Sequence, residues 1–256
     1  MTCHDARQGR VSKVQVGVIT IFPEILDAVA EFGTIRRAIE SGSLGLESLD
    51  IRDYASDRRR TVDDRPYGGG PGMVLLPGPL ASCIDAAKQR VDGPVIYLTP
   101  QGERFNHAIA RELAELSGMI LVCGRYEGID QRIVETRIDR EISIGDYVVS
   151  GGEFPAMVLL DAVVRLLPGV LGNEESALQD SFSNGMLDCP HYTRPESFEG
   201  LNVPQVLLSG NHQEIQRWRE QQAFDWTRNR RPDLIESSSR LESENETDLN
   251  TVDNHQ

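Results

Sequence analysis

The stretch MILVCGRYEG (Met119–Gly128) decides the fold, because an apolar run ends abruptly in a turn bracketed by Gly124 and Gly128. A short run without alternation, closed by glycine, predicts a strand buried on both faces, as in a parallel sheet covered by helices. The same reading applies on either side of it. Val95–Thr99 enters the turn Thr99-Pro-Gln-Gly102, and Glu141–Ile144 enters Ile144-Gly-Asp-Tyr-Val-Val-Ser-Gly-Gly152. Nearer the N-terminus, VQVGVITI (Val14–Ile21) is another buried strand, with Pro23 placed to open a helix, and Leu46–Ile51 is a fifth. Helical patterns cover Glu24–Glu31, Thr34–Glu40, Pro79–Arg90, Asn106–Leu116 and Glu153–Leu167. The last is apolar nearly all round, which predicts burial on every side, Phe154 included.

The predicted architecture is therefore an α/β domain over residues 14–168. Periodicity fades over 169–204, read as a connection. Two helices, Asn211–Gln222 and Trp226–Glu236, then form a small helical domain over 205–236. Residues 1–13 are expected to be a loose extension. Residues 237–256 are rich in Ser, Glu, Asn and Asp, and are expected to be a disordered acidic tail. Between the second strand and the next helix, Asp53–Gly72 is a polar, glycine-rich loop of a length that usually carries function.

The 256 residues hold 26 Lys+Arg against 40 Asp+Glu, a net charge of −14, which argues against bulk electrostatic binding of nucleic acid. The balance is uneven, however. Glu236–Gln256 carries a net −5, whereas Arg217–Arg231 carries five Arg against two acids. In the loop, Arg58, Arg59, Arg60 and Arg65 are offset by Asp53, Asp57, Asp63 and Asp64, so a mobile polar segment is expected there, with an RNA contact at most. The longest charge-free run, Pro66–Ile84, contains five Gly and four Pro, which excludes a membrane-spanning helix. The first 13 residues show no apolar core of a signal peptide. Four separated cysteines (Cys3, Cys83, Cys123, Cys189) without a CxxC pair fit a reducing, cytoplasmic setting.

Ligands of open α/β sheets bind outside the carboxyl ends of the strands, where three glycine-rich turns are predicted to stand. Together they can line a nucleotide pocket with backbone; singly, each reads better as an ordinary tight turn, and the coincidence of three shifts the balance. There is no GxxxxGK[ST], and no GxGxxG opens a helix after the first strand, so a phosphate-loop enzyme is disfavoured.

Four longer segments go further: DRPYGGGPGM (Asp64–Met73), LVCGRYEGID (Leu121–Asp130), SIGDYVVSGGE (Ser143–Glu153) and LDCPHYTRPE (Leu187–Glu196). With VPQVLLSGNHQEIQRWR (Val203–Arg219) they occur in the order found in bacterial tRNA (guanine-N1)-methyltransferases, which the chain resembles from about Val14 to Leu234. The resemblance implies a deep trefoil knot of the SPOUT class and a homodimer. It also implies transfer of a methyl from S-adenosylmethionine to N1 of guanine at position 37 of tRNA. The cofactor would meet Tyr97, Leu98, Thr99 and Pro100 in the first turn. In the second it would meet Gly124, Arg125, Tyr126, Glu127 and Gly128. Ile144, Gly145, Asp146, Tyr147, Val148, Val149, Gly151 and Gly152 form the third turn, with Pro155 beyond it.

Neutral guanine carries a proton on N1, so methylation there needs a general base and a partner for the charge that builds on O6. By resemblance these are Asp180 and Arg165. Read alone, Asp180 is a loop carboxylate, and Arg165 lies four residues from Asp161 on a helix, a spacing that suits an ion pair. The resemblance also implies tRNA contacts at Asp188, His191, Arg194 and Arg217, and magnesium near Glu127, Asp180 and Asp188. Cys189 and His191 read either as a thiol–imidazole pair or as parts of a structural loop. Trp218 and Trp226 read as stacking platforms or as the core of the helical domain. The rival reading is a non-catalytic RNA-binding protein that keeps the fold. A ribose 2′-hydroxyl methyltransferase would lack SIGDYVVSGGE and CPHYTRPE in this form.

Overall fold

The computed structural model describes residues 14–172 and 180–235. The expected N-terminal extension and acidic tail lie outside them. The chain divides into two compact units with the boundary between Glu174 and Glu175, inside the span read as a connection.

The first unit is built on five parallel strands: β1 (Val14–Thr20), β2 (Leu44–Asp50), β5 (Val95–Arg104), β6 (Gly118–Cys123) and β7 (Arg140–Ser143), in the order β2-β1-β6-β5-β7. A two-stranded antiparallel ladder, β3 (Asp63–Asp64) with β4 (Val74–Leu75), closes the base of the long loop. Both faces of the sheet are buried, and the strands divide their side chains between two cores with period two. Met119, Leu121 and Cys123 of β6 join Ile96 and Leu98 of β5 on one face, while Ile120 and Val122 join Val95 and Tyr97 on the other. That is why β6 and the first half of β5 read as unbroken apolar runs.

The first face is covered by α1 (Pro23–Ala30), α2 (Gly33–Glu40), α4 (His107–Ala114) and α6 (Glu153–Val164). The second is covered by α3 (Pro77–Lys88) and α5 (Gln131–Arg137). Asn106 caps α4, its side chain accepting the N–H of Ile109 at 3.0 Å. Residue order carries no sign of α5, because its charged residues leave only Ile133 and Val134 to pack.

Two expectations for this unit need correction. The strand after Pro94 does not stop at Thr99. Ile142 of β7 pairs with Leu98 and again with Glu103, so Thr99–Gly102 loops out of a continuing β5. And α6 is not buried all round. Phe154 is 45% exposed and Val158 50%, one turn apart, which leaves an apolar stripe facing outward.

In the second unit, β8 (Ser197–Phe198) and β9 (Leu201–Asn202) form a hairpin whose two turn residues, Glu199 and Gly200, both have positive φ, the geometry that matches strand twist. A short helix, α7 (Gln205–Leu208), precedes α8 (His212–Arg230). Two helices were expected here; α8 is one continuous helix, since no glycine or proline interrupts it between Asn211 and Arg231. The buried Thr227 hydroxyl donates to the Ala223 carbonyl (2.7 Å) and accepts the N–H of Leu187 (2.9 Å), fastening the preceding loop to α8.

Candidate functional site

The turns after β6 and β7 converge with the bulge in β5 on one cavity of about 220 Å³ at the carboxyl end of the sheet. All of the expected cofactor residues except Asp146 line it; Gln101, Ile142, Ser143 and Ser150, which sequence reasoning missed, line it as well. Gln101 sits inside the quoted turn and bonds to Thr99, Ser143 and Ser150 lie inside SIGDYVVSGGE, and Ile142 belongs to the strand that enters it.

Backbone contact holds the turns together. Gly152 N–H donates to the Gly124 carbonyl (2.9 Å), Arg125 bridges to Gly151, and the Arg125 guanidinium donates to the Ser150 carbonyl (2.9 Å). The approach is so close that a Cβ on Gly152 would stand 2.5 Å from the Cys123 Cα. Gly102 presses likewise on the β7 backbone at Glu141 and Ile142. Here glycine is a steric necessity.

The long loop ends on the same site. Glu127 N–H donates to the Met73 carbonyl (2.9 Å), and Leu75 N–H to the Gly128 carbonyl (3.0 Å). Some of its charges are held: Arg60 contacts Asp53 and Asp50, and Asp57 accepts from the Thr61 N–H (2.8 Å) and hydroxyl (2.9 Å). Those bonds hold the Asp57 carboxyl below its usual range. The segment is braced, in contrast to the mobile loop expected, though Tyr67 at its tip is fully exposed.

Burial pushes the Tyr97 phenol up, and it pushes the Cys123 thiol far up, with Glu153 adding to the effect. Cys83 is likewise driven to about 12 by burial. These groups are protonated near neutrality, and neither cysteine lines the cavity.

The remaining expected site residues fall elsewhere. Arg165 stands at the C-cap of α6, its N–H on the Asp161 carbonyl at 3.2 Å. Asp180 belongs to the second unit, where its carbonyl accepts the Ser183 hydroxyl (2.7 Å). Nearby, Asp188 Oδ2 pairs with His191 Nε2 at 2.7 Å, and Oδ1 accepts the Cys189 N–H at 2.6 Å. Burial alone would raise Asp188, but the bonds from His191 and Cys189 outweigh it and hold the carboxyl below its usual range. His191 and Arg194 line a groove with Tyr192 and Arg219, of about 520 Å³. Tyr192 lies against Trp218 (ring centroids 6.3 Å apart), and Arg230 stacks on Trp226 at 3.9 Å. Arg217 is exposed on α8.

Within the second unit, the cluster with metal-ligand spacing fits magnesium poorly. Among the described residues, the donor atoms that converge within 4.8 Å are those of Asp188, Cys189 and His191. Thiol and imidazole suit softer ions, and the Asp188 oxygens are already engaged. The residues suit S-adenosylmethionine well, because glycines open the wall to backbone contact while Leu98, Ile144, Val149 and Pro155 offer apolar surface.

A parallel sheet with a backbone-lined cavity at its carboxyl edge defines an α/β protein of the class that holds nucleotide-like cofactors. Within that class, residues 14–237 match the family described as tRNA (guanine-1)-methyltransferase TrmD. A protein of Shewanella amazonensis named tRNA (guanine-N(1)-)-methyltransferase is 59% identical over 224 residues, covering 87% of this chain and 90% of its own. Proteins of the same name from Shewanella halifaxensis and Shewanella piezotolerans are 57% and 56% identical over the same shares. The chain belongs to this family of enzymes.

Proposed function

We propose that the protein transfers a methyl group from S-adenosylmethionine to N1 of guanine at position 37 of tRNA. The observation that carries the reading is the convergence of three glycine turns on one cavity in a chain so close to enzymes named for that reaction. When bound, S-adenosylmethionine supplies an electrophilic methyl. The chain's own residues deal with the proton and the charge. The Asp180 carboxylate takes the proton from guanine N1, turning that nitrogen into a nucleophile. Arg165 supports the negative charge that then builds on O6. Asp188, His191, Arg194 and Arg217 hold the RNA, and the protein works in the cytoplasm.

The domain reading retained is a cofactor domain over 14–168 joined by 169–204 to an RNA-binding domain over 205–236. The family's trefoil knot is part of this reading; the fold-back of Gly151 and Gly152 onto Arg125 and Gly124 supports it. So is a homodimer in which the cavity of one subunit is completed by Asp180 of the other. Its support is the outward apolar stripe of Phe154 and Val158 on α6, with Val148 84% exposed beside the cavity. Among the described residues no helix is long and apolar enough to cross a membrane.

The test uses labelled S-adenosylmethionine and two tRNA transcripts that differ only in G or A at position 37. Label recovered as 1-methylguanine from the G transcript alone is expected. Absence of label from both, with cofactor binding intact, would favour the non-catalytic alternative.

A further inference from the structure

Beneath the cavity lies a carboxylate that the methyl-transfer chemistry does not use. Glu153 opens α6 and is completely buried. Its Oε1 accepts the Thr20 hydroxyl at 2.7 Å, at the end of β1. Its Oε2 stands 3.4 Å from Nε of Arg125, and neither of these two buried atoms has a hydrogen-bond partner among the described residues.

Arg125 faces the cavity from the second turn. Besides its bond to the Ser150 carbonyl and its bridge to Gly151, its guanidinium rests on the Phe22 ring at 4.6 Å. A Cβ on Gly151 would run into the Glu153 carboxylate and stand 2.5 Å from Arg125 Nε, so the third turn lies directly on the pair. The end of β1, the start of α6 and two turns of the cavity thus meet at one ion pair, its carboxylate fully buried and its guanidinium 18% exposed.

Stability does not account for it. Removing a carboxylate wholly and a guanidinium largely from water is expensive, and a pair 3.4 Å apart without a hydrogen bond between its charges recovers little of that cost. Apolar residues of the same volume would serve packing as well or better. What the pair does supply is a fixed direction for Arg125, and through Arg125 a fixed place for the Ser150 and Gly151 backbone.

We propose that Glu153 is a positioning residue for the methyl donor. Acting through Arg125, it holds the second and third turns in the arrangement that binds the cofactor. The inference rests on the reading that this cavity takes S-adenosylmethionine.

The full-length wild type, Glu153→Gln and Thr20→Val are compared by calorimetry with S-adenosylmethionine, by steady-state methylation of tRNA and by thermal unfolding without cofactor. Glu153→Gln keeps the volume and an acceptor for Thr20 but removes the charge. Its Kd and KM for the cofactor are expected to rise about tenfold, the size of one charge-assisted contact. The kcat at saturating cofactor, the KM for tRNA and the Tm are expected to stay near wild type. Thr20→Val leaves both charges but frees the carboxylate, and a smaller rise in the same two constants is expected.

Unchanged cofactor constants in Glu153→Gln would overturn the proposal. So would a loss of affinity that tracks a fall in Tm and disappears on cooling, since that marks a structural role. Should Glu153→Gln fail to fold, the cofactor constants of Thr20→Val decide by the same criterion. If the wild type itself binds no S-adenosylmethionine, the cavity reading fails and this one with it.

Discussion

The cofactor cavity and the Asp188–Arg194 loop are built by opposite means. The cavity is made largely of main chain, and its decisive residues are glycines whose value is the side chain they lack. The loop is made of side chains, with Asp188 held by His191 and Cys189 and a groove edged by Tyr192, Arg194 and Arg219. A backbone site is as stable as the sheet that carries it, and it discriminates by shape. A side-chain site depends on charge and on how its loop is fastened, so it responds to pH and to single hydrogen bonds. Perturbations should therefore separate the two regions.

The largest effect is expected from Asp180→Asn, which keeps size but removes the proposed base. Methyl transfer should fall by about 10²–10⁴, while affinity for S-adenosylmethionine, measured by calorimetry, stays near wild type. Retained transfer would remove Asp180 from the chemistry. The converse case is Gly152→Ala. With no room beside Cys123, the added methyl should cost about 1–3 kcal/mol in chemical denaturation and abolish cofactor binding. Normal cofactor affinity in that variant would break the contrast, because the turn would then tolerate what the packing forbids.

Thr227→Val perturbs the other region alone. It leaves the Leu187 N–H without its partner, at a cost of about 1–3 kcal/mol, and should raise the KM for tRNA without altering the cofactor Kd. The smallest effect expected is one of pH. Because the Asp188 carboxyl is held below its ordinary 3.8, its contribution to stability is full above that value and is lost as pH falls through the lowered one. Both tryptophans, Trp218 and Trp226, lie in the second unit, so their fluorescence reports that loosening directly. Asp188→Asn should flatten the acid limb of the curve; an unchanged limb would show that other carboxylates govern it.

Much of the first unit was readable from residue order. Strands buried on both faces must be largely apolar, and Val95–Leu98, Gly118–Cys123 and, apart from Gln15 and Thr20, Val14–Thr20 are. The glycine turns were readable for a related reason, since positive φ and close approach leave few alternatives to glycine. The second unit was harder. Most of α8 is exposed, so its one helix carries little periodic signal and reads as two. Phe154 misled in the other direction: an apolar residue on an apolar helix gives no hint that its own side faces outward.

Residue order alone determined the α/β class, the positions of the turns and the resemblance to one enzyme family, because burial, turn geometry and motif spacing are local properties. Only the tertiary structure decided that Thr99–Gly102 bulges from a continuing strand, that the long loop ends on the Glu127 turn, and that Thr20 and Glu153 meet across 133 positions of chain. Contacts of that kind depend on which strands become neighbours. No local pattern carries that information until the sheet has assembled.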